Sequence, residues 1–259
     1  MISLNISLAQ LQLFFLIFLR IGAILMTMPV FESRSIPLFL KLALAFTASI
    51  TLFHLLKLQP VLMSPNLFSF SMGVVGEILI GVVIGFSVKL IFAGIQLAGQ
   101  LAGYQMGLAI ANVMDPQDNQ QIPLLAQFNN LVALLLFITI NAHHWFIRAL
   151  TESYRLIPPM NMHLGSSVME LIVQLAGNMF IIAIQVGAPV IAALLLTSVA
   201  FGLVARTVPQ MNVFIVAIPL KIGVGLLFLG FSLPYFSAYL KKIFNGMGQT
   251  IFSLLKAMS

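Results

Sequence analysis

The hydrophobic positions of this chain fall into six long runs, separated by short polar or proline-containing segments. Runs of about 18 or more apolar residues are long enough to cross a bilayer as α-helices. None shows the alternation of apolar and polar residues that marks the strands of a membrane β-barrel. We therefore predict an all-α, polytopic membrane protein, with candidate spans at residues 8–31, 36–56, 67–92, 124–147, 168–205 and 211–239.

The fifth of these spans, residues 168–205, is much longer than a bilayer requires, which is roughly 20 residues. Gly187 and Pro189 can break or kink a helix, so this span is either one bent helix or two half-spans. No linker or low-complexity segment divides the chain, and we take residues 1–259 as a single membrane domain.

The least membrane-like stretch runs from Gly94 to Pro123. Small residues recur there at every fourth position and would form one side-chain-poor stripe on a helix: Gly99, Gly103, Gly107 and Ala111. Membrane helices approach closely through such small-xxx-small faces, and Gly81 and Gly85 repeat the spacing in the preceding span. The stripe runs into the polar segment Asp115 to Gln121. The pattern leaves open whether this segment is a solvated turn or a mobile closure in a channel.

Composition narrows the class further. The chain is 61% hydrophobic and 7% charged, whereas soluble domains carry roughly a quarter charged residues. It has no cysteine, which excludes disulfides and thiol chemistry. The net charge of +6 is scattered, which favours contact with anionic headgroups and argues against nucleic acid. Six acidic residues and no nucleotide or hydrolase motif predict a protein that is no enzyme and binds no cofactor.

Three charges lie within or at the edge of apolar spans: Arg20, Glu77 and Lys89. Each costs at least about 2.5–3.5 kcal/mol near the bilayer centre, so Arg20 and Glu77 are expected to pair. Glu77 is either a proton or ion site or part of an ion pair between subunits; the second is favoured because no other acidic residue lies nearby to relay a proton. Lys89 is expected near a helix end, where it can snorkel.

The adjacent residues His143, His144 and Trp145 are the nearest approach to a metal-binding motif. Adjacent side chains diverge on a helix and no carboxylate is close, so the sequence predicts an interfacial anchor rather than a metal site. No metal ligand set is predicted anywhere in the chain.

Three stretches carry a resemblance to a known family. They are GEILIGVVIGF (Gly76 to Phe86), GYQMGLAIANVMDP (Gly103 to Pro116) and VPQMNVFIVAIPLKIGVG (Val208 to Gly225). With these stretches the chain resembles, over nearly its full length, the FliR proteins of the flagellar type III export apparatus. A homologous component, SctT, exists in injectisomes.

The resemblance implies a subunit of the flagellar export gate at the basal body in the bacterial inner membrane. FliR proteins join FliP-like and FliQ-like subunits in a hetero-oligomeric ring, associate with an FlhB-like protein and contact membrane lipids. The ring conducts unfolded flagellar subunits. By this resemblance, residues 1–165 form a FliP-like part and residues 166–259 a FliQ-like helical hairpin.

The resemblance also implies roles for individual residues. The loop at 106–122 is expected to plug the closed gate; its candidate residues are Met106, Gly107, Asn112, Met114, Asp115, Pro116, Gln117, Asp118, Asn119, Gln120, Gln121 and Ile122. Helix packing is expected at Gly81, Gly85, Gly99, Gly103 and Gly107. Arg20, Glu77 and Lys89 are expected to serve assembly, and Pro209, Asn212, Pro219 and Lys221 to shape the hairpin.

Three alternatives remain open at this point. The equivalent subunit of a virulence secretion system would share the fold but carry other cargo. A small-solute secondary transporter would need internal repeats and a midplane site at broken helices, and only the Gly187–Pro189 region offers such a break. A purely structural membrane anchor is the third.

Overall fold

A computed structural model describes residues 7–31, 36–56, 67–108, 123–163, 165–208, 210 and 212–259 of the chain. Over these ranges the regular structure is entirely helical, which confirms the predicted all-α fold. The described helices are, in order, α1 (Leu8–Thr27), α2 (Leu38–Leu56), α3 (Leu67–Met106), α4 (Leu124–Thr139), α5 (His144–Leu156), α6 (Ser166–Thr207) and α7 (Val213–Met258).

The long helices extend further than the predicted spans. α3 has 40 residues and continues beyond residue 92 through the glycine-rich stretch. Each glycine destabilises a helix interior by about 1 kcal/mol, so this continuation depends on tertiary contacts. α6 is one helix of 42 residues through Pro189 rather than two half-spans. α7 contains Pro219 and Pro234 and ends at Met258, well past the predicted end at residue 239.

The fourth predicted span, residues 124–147, is broken. α4 ends at Thr139, α5 begins at His144, and the two axes differ by 68°. The turn between them includes Asn141 at φ 56°, a left-handed conformation that asparagine tolerates better than most residues. The predicted span is therefore two helices instead of one, because the apolar run continues through a turn that changes the helix direction.

Five of the described helices are long and apolar enough to cross a membrane: α1, α2, α3, α6 and α7. The bent pair of α4 and α5 can supply a sixth crossing. At 1.5 Å per residue, α3, α6 and α7 are each roughly 60–70 Å long, about twice the thickness of the hydrocarbon layer. Each of these three helices is therefore longer than one perpendicular crossing requires.

The chain forms two compact units whose segments alternate along the sequence. Unit one draws on residues 1–90, 142–175 and 246–259, and unit two on residues 91–141 and 176–245. α3, α6 and α7 therefore each contribute one part to both units. The predicted division at residue 165 concerns likeness to other subunits and stays a prediction.

Unit one is built around α1. The helix begins with a capping box, in which the Ser7 hydroxyl accepts a hydrogen bond from the Gln10 N–H and the Gln10 side chain accepts one from the Ser7 N–H. α2 packs against it through aromatic edges, with Phe14 5.6 Å from Phe46 and 6.1 Å from Phe53 between ring centroids. These contacts leave the opposite, strongly buried face of α1 for the other helices of the unit.

Unit two contains a buried cluster of three phenylalanines, one from each of three helices. Phe92 of α3, Phe137 of α4 and Phe244 of α7 are mutual neighbours, with ring centroids 5.3 to 5.8 Å apart. All three rings are almost completely buried. The cluster therefore joins the middle of α3 to α4 and to α7 through aromatic pairs, which add to the stabilisation from burial alone.

A close contact in unit one gives a fluorescence test of the fold. A Cβ on Gly248 of α7 would lie 2.8 Å from Cδ2 of Trp145, the single tryptophan of the chain. Gly248→Ala should therefore displace the indole ring and shift its emission to longer wavelength. Gly246→Ala is the matched control, because a Cβ there meets nothing within 4 Å. Identical emission spectra for the two variants and the wild type would contradict this contact.

Candidate functional site

The predicted functional residues divide into those that the structure describes and those that it does not. Described residues are Arg20, Glu77, Lys89, Gly81, Gly85, Gly99, Gly103, Met106, Gly107, Asn212, Pro219 and Lys221. Outside the described residues lie Asn112, Met114, Asp115, Pro116, Gln117, Asp118, Asn119, Gln120, Gln121, Ile122 and Pro209.

Arg20 and Glu77 form a bidentate ion pair in the interior of unit one. Arg20 Nε donates to Glu77 Oε2 at 2.5 Å, and Nη2 donates to Oε1 at 3.0 Å. Arg20 is 0% and Glu77 1% exposed. Both residues belong to one chain, so the pair links α1 to α3 within the subunit. The expectation of a pair between subunits was wrong on this point, because the two helices pack directly against each other.

The remaining polar groups of this pair are also satisfied. Arg20 Nη1 donates to Ser153 Oγ at 3.3 Å and to the Ile157 carbonyl at 3.1 Å. Glu77 Oε1 also accepts from the Met160 N–H at 3.1 Å. The guanidinium lies 4.2 Å from the centroid of the Tyr154 ring. A buried charge pair is stable only when its outer hydrogen bonds are made, so α5 and the turn after it complete the site.

Sequence reasoning missed these supporting groups. Two of them, the Ile157 carbonyl and the Met160 N–H, are backbone groups and leave no side-chain signature. Ser153 and Tyr154 lie on the buried face of α5. The mixture of apolar and polar residues in α5 is typical of an amphipathic helix, but it does not show which residue contacts a buried charge. Met160 adopts φ 70°, which turns the chain after Pro158 and Pro159 toward Glu77.

Gly81 and Gly85 lie where α3 contacts α1. A Cβ on Gly81 would be 2.6 Å from the Ala23 Cβ and 2.7 Å from the Arg20 carbonyl oxygen. A Cβ on Gly85 would overlap the Thr27 side chain. The missing side chains allow the two helix backbones to approach, as small residues do between membrane helices. The close approach brings Glu77, one turn earlier on α3, within reach of Arg20.

Lys89 lies in the interior of α3, far from either end of the helix, and is exposed on the chain. The prediction that it sits near a helix end was wrong because α3 continues past residue 92, the predicted end of this span, to Met106.

In unit two, glycines on α3 again lie at helix contacts. A Cβ on Gly99 would be 2.6 Å from the Ala126 Cα and 2.7 Å from the Leu125 carbonyl oxygen of α4. A Cβ on Gly94, which the four-residue spacing did not include, would be 2.6 Å from the Met179 carbonyl oxygen of α6. The contact at Gly103 is less close, because a Cβ there would lie 3.6 Å from its nearest neighbour, Leu125 Cδ1.

Gly107 is a helix cap rather than a member of the helical stripe. It has φ 85°, its N–H donates to the Tyr104 carbonyl, and the Leu108 N–H donates to the Gly103 carbonyl. These bonds form a Schellman motif, in which glycine is favoured because it adopts positive φ without strain. The predicted loop boundary at residue 106 also differs, since Met106 is the last, fully buried residue of α3.

The hairpin residues lie at the start of α7. The Asn212 carbonyl accepts a hydrogen bond from the Ile215 N–H at 3.1 Å, which forms the first turn. Pro219 is exposed within the second turn and Lys221 is half-buried. These positions are compatible with a turn between α6 and α7.

No side-chain group in the described ranges is placed to hold a metal through three His, Cys, Asp or Glu residues. The His143 and His144 rings lie with their centroids 4.5 Å apart. The guanidinium carbon of Arg148 lies over the Trp145 ring, 5.3 Å from its centroid. The described geometry supports close helix packing around one buried ion pair.

The sequence is similar to those of known proteins over nearly its whole length. The sequence model of the family described as "Bacterial export proteins, family 1" matches residues 11–247. The flagellar biosynthetic protein FliR of Bacillus subtilis (strain 168) is 35% identical over 245 residues, which cover 93% of this chain and 94% of that protein. The protein of the same name from Escherichia coli (strain K12) is 31% identical over 249 residues, covering 96% and 93%.

The ion pair predicts a specific pattern of stabilities. Arg20→Met or Glu77→Met alone should lower the free energy of unfolding by about 3–5 kcal/mol, because each leaves a buried charge without its partner. The double variant should recover much of that loss. Thermal unfolding of the full chain in detergent measures these changes.

The control for this cycle is the exposed pair of Glu152 and Arg155, whose atoms are 2.9 Å apart. Removing both charges there should change stability by about 1 kcal/mol or less. A double variant of Arg20 and Glu77 that is no more stable than either single variant would contradict the assignment.

The glycine contacts predict different outcomes at two positions of one stripe. Gly99→Ala should destabilise the chain by about 1–3 kcal/mol, because the new Cβ meets the α4 backbone, which cannot move aside easily. Gly103→Ala should be neutral or stabilising, since its Cβ makes an ordinary contact and alanine favours the helix. The same unfolding measurement compares them, and equal losses at both positions would rule out this distinction.

Proposed function

This chain belongs to the FliR family of bacterial export proteins, multi-pass inner-membrane components of the flagellar export apparatus, and we propose that it forms one subunit of a protein-export gate. In this proposal the chain joins FliP-like and FliQ-like subunits in a ring, with an FlhB-like protein associated. Unfolded flagellar subunits cross through the centre of the ring. The observation that carries the proposal is the 35% identity to a FliR protein over 93% of the chain.

Exposed apolar faces on the last two helices support a place in an assembly. In the most apolar window of α7 only 11% of the residues are buried, against 50% in that of α3. Leu196 and Leu203 of α6 and Ile215 and Phe231 of α7 are each more than 60% exposed. Because α6 and α7 are far longer than the hydrocarbon is thick, lipid can cover only part of these faces. Neighbouring subunits around a FliQ-like hairpin at 166–259 would cover the rest.

In this proposal the chain also closes the gate, by means of a plug. We assign it to the loop within 106–122, with residues 109–122 following the capped end of α3. Gln117, Asn119, Gln120 and Gln121 offer uncharged polar groups that fill a lumen without holding a charged substrate. Pro209, Asn212, Pro219 and Lys221 shape the turn of the hairpin.

The ion pair has a supporting role in this proposal. Arg20 and Glu77 hold α1, α3 and α5 together. Unit one contains much of the proposed FliP-like part, so this part meets the partner subunits as a rigid body. A rigid subunit loses less conformational entropy when it assembles. Gly81, Gly85 and Gly99 serve the same end by letting α3 pack closely against its neighbours.

The relatives favour the flagellar form of the gate over the virulence form. The B. subtilis, E. coli and Pectobacterium carotovorum proteins are all named as flagellar, at 31 to 35% identity. A strain that lacks this chain should therefore have no flagella. Returning this chain, or a flagellar relative of it, to that strain should restore swimming.

Deleting residues 117–121 tests the plug. We expect cells with this variant to leak K⁺ several-fold faster than wild-type cells, because the closed passage loses its filling. A potassium electrode measures the leak. Removing the FliP-like subunit from the same strain is the control and should abolish the leak. A deletion variant that assembles and leaks no faster than wild type would contradict the plug assignment.

A further inference from the structure

We propose that Gly225 of α7 is a positioning residue that fixes the carboxyl end of α3 by providing a notch for the side chain of Met106. This inference rests on the proposed function, because the residues that follow α3 are those assigned to closure of the gate. Gly225 is the last residue of the Val208–Gly225 stretch, but the sequence pattern gave it no role of its own, and it is more than 100 positions from Met106 along the chain.

The contact between the two residues is close. A Cβ on Gly225 would lie 2.8 Å from both Cγ and Sδ of Met106, and nearer still to its Cε. A methionine side chain can often move aside because it is flexible. Here it has little room, since Met106 is 0% exposed and is packed in a buried cluster with Ala102, Leu125, Val190 and Leu194. The absence of a side chain at position 225 is therefore required for Met106 to keep this place.

The position of Met106 determines how the chain leaves α3. Gly107 follows directly in a left-handed conformation, and Leu108 packs against the same buried cluster. Two hydrogen bonds, from the Gly107 and Leu108 N–H groups, tie this turn to the last turn of the helix. Since Met106, Gly107 and Leu108 are held together, a displacement of Met106 also moves the capped end of α3, which directly precedes the proposed plug in the sequence.

Other glycines of α7 provide matched controls. A Cβ on Gly223 or on Gly230 would meet nothing within 4 Å in the chain. Substituting alanine at any of these three positions makes the same chemical change in the same helix. Only Gly225→Ala places the added methyl group against Met106.

The experiment measures K⁺ leak from cells that carry each variant in the assembled apparatus, with assembly checked by recovery of the chain together with its FliP-like partner. Gly225→Ala should leak several-fold faster than wild type, and Gly223→Ala and Gly230→Ala should not. Adding Met106→Ala to the Gly225→Ala variant removes the clash and should bring the leak back toward the wild-type rate. Such rescue separates positioning from a general loss of stability.

Deletion of residues 117–121, measured in parallel, distinguishes a failure of the inference about Gly225 from a failure of the proposed function. If the deletion leaks and Gly225→Ala does not, the inference about Gly225 is overturned and the plug stands. If neither leaks, the proposed function fails first. Where Gly225→Ala prevents assembly, adding Met106→Ala should restore it, because the double variant has no clash. A double variant that also fails to assemble, when Met106→Ala alone assembles, overturns the inference.

Discussion

The described structure depends on backbone-level contact along α3, the helix that contributes to both compact units. α1 reaches it at Gly81 and Gly85, α6 at Gly94 and α4 at Gly99, in each case where a side chain would overlap the neighbouring helix. In water such glycines would weaken a helix, but between apolar helices they increase the area of van der Waals contact. The Arg20–Glu77 pair forms because α1 and α3 are this close, and its hydrogen bonds then hold α5 in place.

The sequence predicted the all-α fold, the membrane location and the family because apolar run length and long motifs carry that information. It also indicated that Arg20 and Glu77 would pair, since two opposite charges in apolar spans have few other ways to be satisfied. It could not show that both belong to one packed unit. Period-four spacing could not separate Gly107, a helix cap, from Gly99, a packing residue, because both glycines have the same chemistry and differ only in backbone conformation.

Two errors in the predicted spans share a physical cause. Hydropathy measures how apolar a stretch is, but it does not report where a helix turns or ends. The chain therefore bends by 68° between α4 and α5 inside one apolar run, and α3 continues where the run becomes polar and glycine-rich. The same limitation hid Ser153 and Met160, whose roles depend on a turn and not on composition.

We have proposed that this chain works as one subunit of a hetero-oligomeric gate, in which other subunits cover the apolar faces of α6 and α7. Mild-detergent purification of the tagged chain, followed by native mass spectrometry, is a direct test of this assembly. We expect the chain to be recovered from cells containing both partners in a complex with the FliP-like and FliQ-like subunits. A stable, monodisperse chain that is recovered alone from cells containing both partners would contradict it.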